Sequence, residues 1–383
     1  MAEREPSESP TGPQAGRISQ ADIEVGRARI VRPDGSHDAD AVPDLDDQQL
    51  QDLYRWMVLE RTFDERMVSL QRRGELGTYA SGRGQEASIV GSGYALEGDD
   101  WLLGTGREAA AMLLRGVSIR DLVLFWRGVG DAAKFMAEEN AMIAISIGSQ
   151  LPMTTGAAWG MALDDAESVV AAYFGDGATS TGTFHEALNF AGVLGVPAVF
   201  FCQNNQYAIS TPFEKQTRAG TLAQRAVGYG IEGIRVDGND VLAVYEAMRE
   251  ARALARGGTP AFVESVTYRM DAHTTSDDPT RYRDESEVEE WERRDPIDRY
   301  EAFLRSKGLF GEVDREGIVE EVEAEFRAGL EAADDYPEGD VEAVFEYLYA
   351  ELPPNLEEQL AAFEALLEER PEINDYIERR PKG

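Results

Sequence analysis

Two short, largely apolar segments restrict the fold of this chain more than any other feature. Residues 168–174 run into Gly175-Asp176-Gly177, residues 196–203 run into Asn204-Asn205, and residues 183–194 between them have a helical pattern. Short apolar segments bounded by turn residues are typical of strands buried on both faces, and such strands belong to parallel sheets covered by helices. The pattern therefore predicts a βαβ unit.

The same alternation continues downstream and sets the expected domain organisation. Residues 231–236 and 261–268 predict two further strands, joined by a helix that begins near Asn239-Asp240. We therefore expect an α/β fold with a doubly wound, mostly parallel sheet flanked by helices. Residues 46–73 predict an amphipathic helix, and the chain beyond about residue 285 predicts acidic helices. Residues 1–45 are expected to form a flexible acidic tail, and residues 46–383 one domain.

Polar residues follow both apolar segments, where a parallel sheet brings strand ends to one edge. Asp176 offers a carboxylate there, Asn205 an amide oxygen and Tyr207 a backbone carbonyl. Mg²⁺ prefers such oxygen ligands and usually shares them with a phosphate. The glycines at 175 and 177 and the helix expected from Thr183 favour phosphate binding at the same edge. The triplet alone is equally consistent with an ordinary helix N-cap, but this alternative leaves the paired asparagines unexplained.

The charge balance narrows the possible partners and the source. The chain has 37 Lys and Arg against 72 Asp and Glu, a net charge of −35, and its only lysines are those at 134, 215, 307 and 382. Nucleic acid and anionic membranes are therefore unexpected partners. The acidic, lysine-poor composition favours a halophilic source, with an ordinary cell as the alternative. No segment has the roughly 20 apolar residues of a membrane helix, and we expect a cytoplasmic protein.

The two polar turns resemble the thiamine diphosphate motif of the two-oxo-acid dehydrogenase alpha subunits. Residues 175–178 read GDGA, residues 204–212 read NNQYAISTP, and Asp176 and Asn205 stand 29 positions apart, as in that family. The resemblance implies a thiamine diphosphate-binding fold in which Asp176, Asn205 and the carbonyl of Tyr207 bind Mg²⁺. By the same resemblance, the cofactor contacts in this region are Gly175, Asp176, Gly177, Ala178, Asn205, Tyr207 and Ile209.

Three further positions match the family. Arg107 stands where an arginine binds the diphosphate, Ile147 where a residue contacts the aminopyrimidine, and His273 where a histidine contacts the diphosphate and assists acyl transfer. Read without the resemblance, these would be a surface arginine, a core isoleucine and a loop histidine. Residues 104–109 also imitate a dinucleotide-binding loop, but we expect no strand before them and so discount NAD. Thr274 stands where mitochondrial relatives carry a regulatory serine.

The resemblance also implies a function that is shared between subunits. The alpha subunit holds the diphosphate, while a beta subunit supplies the glutamate that activates the cofactor, in a heterotetramer of two alpha and two beta chains. The expected reaction is oxidative decarboxylation of a two-oxo acid, followed by acyl transfer to a lipoyl group of an acyltransferase. Residues 208–212, 235–240 and 275–278 favour branched-chain substrates over pyruvate, with acetoin third. A non-catalytic cofactor-binding or regulatory subunit is the rival hypothesis.

Overall fold

A computed structural model describes residues 22–23, 25–312, 315–337, 345 and 349–373, and its central feature is a six-stranded sheet. The sheet consists of β1 (Trp101–Gly104), β2 (Ala141–Ile143), β3 (Val170–Gly175), β4 (Ala198–Asn204), β7 (Glu232–Asp237) and β8 (Ala261–Val266), and β5 (Tyr207–Ala208) and β6 (Thr211–Pro212) form a separate antiparallel hairpin. The strand order is β2-β1-β3-β4-β8-β7, and every pair is parallel. The predicted fold is therefore confirmed.

Helices cover both faces of this sheet. The helices of the described residues are α1 (Asp47–Arg72), α2 (Glu86–Tyr94), α3 (Ala109–Leu114), α4 (Ile119–Trp126), α5 (Asp131–Glu138), α6 (Gln150–Leu163), α7 (Gly182–Leu194), α8 (Phe213–Gln216), α9 (Val241–Arg256), α10 (Glu285–Glu292), α11 (Pro296–Lys307), α12 (Arg315–Asp334) and α13 (Pro354–Glu369). Successive strand residues point to opposite faces, so Phe174 and Phe200 pack with α6 and α7, whereas Tyr173 and Phe201 join the larger core under α1, α2 and α9. Two apolar layers therefore bury the sheet.

Helix α1 carries a start signal that its sequence makes visible. The Asp46 side chain accepts a hydrogen bond from the Gln49 amide, and the Gln49 side chain accepts one from the Asp46 amide, which completes a capping box. The helix ends at Arg72, shortly before Gly74 with its positive φ of 81°. Its buried face includes Leu53 and Met57. The helix predicted over residues 46–73 is therefore confirmed.

The chain before residue 46 differs from the expected tail. Val31 is buried in the main core, and Ala28 forms a parallel bridge with Val236 at the edge of β7. The amides of Ile30 and Val31 both donate to the Asp240 carboxylate at 2.7 Å. Residues 25–45 thus belong to the folded domain, because they gain backbone partners that composition does not reveal. Residues 1–21 lie outside the described residues.

The acidic helices beyond residue 285 are present as predicted. Helices α11 and α12 contribute Ile297, Phe303 and Val322 to the main core, whereas no residue of α13 is buried. Within the described part of the chain, no helix combines the length and the apolar character needed to cross a membrane.

Candidate functional site

Four neighbouring strands end at the residues that matter most for chemistry. Arg107 follows β1, Asp176 follows β3, Asn205 follows β4 and Arg269 follows β8. The chain moves outward from β1 to β2 and in the opposite direction from β3 to β4, so the topological switch point of the sheet lies between β1 and β3 at the carboxyl edge, a place we call the crevice. Ligands of open α/β sheets bind at such a topological switch point.

Three oxygen atoms meet at the ends of β3 and β4. The Asn205 Oδ1 atom lies 3.2 Å from Asp176 Oδ1 and 3.2 Å from the Tyr207 carbonyl oxygen, while Asn205 Nδ2 donates to Gln85 Oε1 at 3.1 Å. Octahedral Mg²⁺ with oxygens at roughly 2.1 Å places adjacent ligands about 3 Å apart. The amide turned over would instead donate from nitrogen to both oxygens. The arrangement thus accommodates either a reversed amide or a small divalent cation, and the oxygen donors fit Mg²⁺.

The carboxylate of this group is held in a buried, hydrogen-bonded position. Asp176 is fully buried, and its Oδ2 atom accepts a hydrogen bond from Gln216 Nε2. Burial raises the pKa of Asp176 to about 6, which the bond from Gln216 opposes. Among the described residues no group of three His, Cys, Asp or Glu side chains could hold a metal. A cation here would therefore depend on one carboxylate with amide and carbonyl oxygens.

Two arginines and a histidine lie together beside these oxygens. Arg107 Nη2 is 3.1 Å from His273 Nδ1 and donates to the His273 carbonyl at 2.6 Å. Arg269, which is buried, donates from Nη1 to the Tyr207 carbonyl at 3.3 Å and from Nη2 to the Ile209 carbonyl at 2.7 Å. The two guanidinium groups repel each other, so an anion such as a diphosphate is the natural ligand of this cluster.

The electrostatics of the cluster set the protonation state of His273. Burial, Arg107 and Arg269, in that order, lower the pKa of His273 to about 4. Burial and the neighbouring Arg269 lower the pKa of Arg107 to about 10, so this arginine stays charged. Because both arginines approach Nδ1 as donors, the neutral imidazole carries its proton on Nε2. His273 can therefore offer one N–H group to a ligand at neutral pH.

Close backbone contacts shape the glycine-containing turn after β3. A Cβ atom on Gly177 would lie 2.7 Å from Ala208 Cβ, whereas one on Gly175 would have only the Gln203 carbonyl, at 4.0 Å. The lack of a side chain at Gly177 thus lets the hairpin that carries Tyr207 pack against this turn. This is a second reason for glycine here, in addition to the predicted approach of a phosphate. Ala178 is buried in the 3₁₀ turn Asp176–Ser180 that leads to α7.

Two apolar residues of the predicted site are exposed at the same edge. Ile209 is 56% exposed and has a positive φ of 56°, which is uncommon for a β-branched residue and is typical of functional sites. Ile147 follows β2 and is 58% exposed. It is therefore not the core isoleucine of the alternative hypothesis.

The loop that imitates a dinucleotide fingerprint corrects one expectation. Strand β1 directly precedes it, so the prediction of no strand there was wrong, because β1 has four residues and ends in glycine. The Glu108 carboxylate accepts hydrogen bonds from the amides of Thr105 and Gly106, both at 2.9 Å. These amides are already occupied by an acidic side chain and are not available to a phosphate, so the loop does not resemble a dinucleotide site in its chemistry.

Sequence reasoning missed several residues that hold the site. Gln85 bonds to Asn205, Gln216 bonds to Asp176, and Arg269 binds the two carbonyls of the hairpin. Arg269 stands four residues before His273. Asp277, four residues after His273, accepts hydrogen bonds from the His273 amide at 2.8 Å and from the Tyr282 hydroxyl.

Comparison with known proteins adds independent information. Residues 54–342 match the family described as dehydrogenase E1 component. The chain is 44% identical over 352 residues to the 3-methyl-2-oxobutanoate dehydrogenase subunit alpha of Mycobacterium tuberculosis, covering 90% of this chain and 95% of that protein. It is 43% identical over 346 residues to the pyruvate dehydrogenase E1 component subunit alpha of Staphylococcus epidermidis, covering 89% and 94%.

Proposed function

Because the chain belongs to the dehydrogenase E1 component family as an alpha subunit of a two-oxo-acid dehydrogenase, we propose that it decarboxylates a two-oxo acid oxidatively together with a beta subunit. The family depends on thiamine diphosphate. The observation that carries the proposal is the crevice between β1 and β3, where a cluster of positive charge adjoins three convergent oxygens. A diphosphate bridged to a divalent cation matches both halves of this arrangement.

Each half of the crevice would bind one part of the cofactor. Asp176, Asn205 and the Tyr207 carbonyl would hold Mg²⁺, while Arg107 and His273 would contact the diphosphate. When bound, thiamine diphosphate supplies the carbon nucleophile and the electron sink for cleaving the bond to the departing carboxylate. The protein therefore binds and orients the cofactor and neutralises its negative charge.

His273 has a second role in this proposal. Its neutral imidazole can donate from Nε2, and a diphosphate beside it would raise its pKa by opposing the effect of the two arginines. We therefore assign His273 to proton transfer during passage of the acyl group to the lipoyl group of an acyltransferase partner.

We propose branched-chain two-oxo acids as substrates, with pyruvate second and acetoin third. The two relatives named above differ by one percentage point in identity and act on different acids by name, so overall similarity does not separate them. The preference rests on residues 208–212, 235–240 and 275–278. Comparing kcat/KM for 3-methyl-2-oxobutanoate and pyruvate tests it directly.

An apolar surface on the outer side of α6 and α7 supports the beta subunit as a partner. We call it the α6/α7 surface; its exposed residues are Met153, Trp159, Leu163, Phe190, Val193 and Leu194. Contiguous exposed apolar groups on a soluble chain mark interaction sites. We therefore propose that the α6/α7 surface is buried between subunits in a heterotetramer of two alpha and two beta chains.

The decisive experiment reconstitutes the enzyme. The chain is purified alone and with its beta subunit, and decarboxylation is followed with an artificial electron acceptor over several two-oxo acids. Activity should require both subunits, thiamine diphosphate and Mg²⁺, and Asp176→Ala should abolish cofactor binding. Robust turnover by the isolated chain would refute the division of labour. A complex that binds the cofactor without turnover would favour the rival non-catalytic subunit.

The surface charge supports one more proposal, on the environment of the protein. A net charge of −35 is tolerated best where salt screens repulsion over short distances, roughly 3 Å at 1 M. We propose a salt-rich cytoplasm as the working environment.

A further inference from the structure

A loop beneath the crevice contacts both of its diphosphate-binding elements. In this platform loop, residues 79–84, the Ser81 carbonyl accepts a hydrogen bond from Arg107 Nη1 at 2.6 Å. Tyr79 pairs with Thr275, two residues beyond His273: the Thr275 amide donates to the Tyr79 carbonyl at 3.0 Å, and the Tyr79 amide donates to Thr275 Oγ1 at 3.2 Å. A displacement of the platform loop would therefore move the arginine and the histidine loop together.

One buried carboxylate of α1 holds the platform loop. Asp64 accepts hydrogen bonds from the Tyr79 hydroxyl at 2.6 Å and the Gly82 amide at 2.7 Å, and it shares the proton of the Ser81 hydroxyl, at 3.0 Å, with Asp271, at 2.9 Å. These donors come from three different residues of the same loop. Bonds to a buried charged acceptor are stronger than bonds between neutral groups, and leaving such donors without a partner is costly.

The platform loop also lies close against its neighbours at Gly82. A Cβ atom on Gly82 would lie 2.7 Å from the Arg107 carbonyl oxygen, 2.7 Å from Ile89 Cδ1 and 2.8 Å from Glu60 Oε1. The backbone of Gly82 therefore sits directly against Arg107. Asp64 fixes this turn from one side, and the arginine backbone contacts it from the other.

A second carboxyl, Glu60, lies one helical turn before Asp64 and differs from it in its partners. Glu60 Oε2 accepts from the Ala110 amide, whereas Oε1 is buried with no hydrogen-bond partner among the described residues. Burial and the Asp64 charge raise the pKa of Glu60 well above its usual range. Burial also raises the pKa of Asp64, and the hydrogen bonds from Tyr79 and Ser81 oppose this rise. Of the two carboxyls, Asp64 therefore has donors on both oxygens, whereas Glu60 Oε1 has none among the described residues.

We propose that Asp64 is a positioning residue that places Arg107 and the His273 loop for diphosphate binding by fixing the platform loop. This inference rests on the proposed function, because it takes the diphosphate as the ligand of Arg107. Asp64 itself acts through the loop and need not touch the cofactor. Glu60, despite being equally buried, has no such role.

Two nearly isosteric substitutions in one buried pair test the proposal. Asp64→Asn replaces one acceptor oxygen with an amide donor that faces the donors of the loop. Glu60→Gln mimics the protonated carboxyl and keeps the acceptor for Ala110. In the complex with the beta subunit, Asp64→Asn should raise both the calorimetric Kd and the KM for thiamine diphosphate by about 10–100-fold, the size of effect typical of lost supporting contacts to ligand-binding residues. Glu60→Gln should leave this KM within about twofold, since it removes none of the donors to Asp64.

A double-mutant cycle distinguishes positioning from general destabilisation. If Asp64 acts through Arg107, Asp64→Asn should cost little further cofactor affinity in an Arg107→Ala background. Additive losses would overturn the inference, as would an unchanged KM for Asp64→Asn or an equal rise for Glu60→Gln. If Asp64→Asn does not fold, Tyr79→Phe removes one donor and should give a smaller rise in the same direction; an unchanged KM there would likewise overturn it. Cofactor binding by the wild-type complex is measured first. If the wild-type complex does not bind thiamine diphosphate, the proposed function is contradicted, and not the role of Asp64.

Discussion

Gly177, directly after Asp176, should not tolerate alanine. In Gly177→Ala the new Cβ atom would meet Ala208 Cβ at 2.7 Å, so reaching an ordinary contact of 3.4 Å requires the hairpin to move by about 0.7 Å. Ala208 directly follows Tyr207, whose carbonyl is a proposed ligand. Functional metal sites keep their ligand distances within about 0.2 Å. The displacement therefore exceeds what the site tolerates.

The expected result is a loss of Mg²⁺-dependent cofactor binding with limited loss of fold. Overpacking of this kind costs roughly 1–3 kcal/mol of unfolding free energy, and the affinity for thiamine diphosphate should fall by at least about 10–100-fold. Calorimetric titration at saturating Mg²⁺ measures the affinity, and thermal unfolding of the cofactor-free chain measures the stability. Gly98→Ala, in the turn before β1, is the control, since its Cβ atom would meet nothing within 4 Å.

A compensating variant tests whether the contact between residues 177 and 208 causes the loss of affinity. Ala208→Gly removes the atom that Gly177→Ala would strike, so the double variant should regain most of the affinity. If Gly177→Ala binds the cofactor as well as Gly98→Ala does, the close approach of the hairpin does not define the site. If the double variant stays as weak as Gly177→Ala alone, the loss has another cause than this contact.

Four further predictions concern acyl transfer, pH, assembly and salt. His273→Ala should slow transfer to a lipoyl domain by about 10²–10⁴-fold with Mg²⁺ binding intact; equal rates in both the artificial-acceptor and lipoyl assays would remove its role. Since burial raises the pKa of Asp176 to about 6, the Mg²⁺ affinity measured by calorimetry should fall about tenfold per pH unit below pH 6, and a constant affinity between pH 5 and 7 would contradict this. Without metal, the protonated Asp176 stabilises the fold at low pH, and this stabilisation is lost as pH rises from 3.8 to about 6. Phe190 is 59% exposed on the α6/α7 surface and Tyr349 is 61% exposed elsewhere, so Phe190→Asp should prevent co-purification of the beta subunit whereas Tyr349→Asp should not. If both variants elute alike with the beta subunit in size-exclusion chromatography, the α6/α7 surface is not the subunit interface. Molar salt should raise the melting temperature, and a higher value in dilute buffer would argue against the saline environment.

The strands β3, β4, β7 and β8 were predictable because each is a short apolar segment with a turn signal at its end. Strands β1 and β2 were not predicted, because they have four and three residues and too few positions to show a pattern. Residues 25–45 lack an apolar pattern as well. Their order comes from pairing with β7 and from the Asp240 carboxylate, partners about 200 positions away in the chain.

For the site, the sequence by itself determined which ligand types stand at strand ends: Asp176, Asn205, Arg107 and His273 were identified from local motifs and a resemblance. Only the tertiary structure decided how they are held. Arg269 binds the hairpin carbonyls, and Asp64 fixes a loop beneath Arg107 from a helix far away in sequence. A motif records the residue type that chemistry requires at one position, whereas burial and hydrogen bonding depend on which distant segments the folded chain brings within about 3 Å.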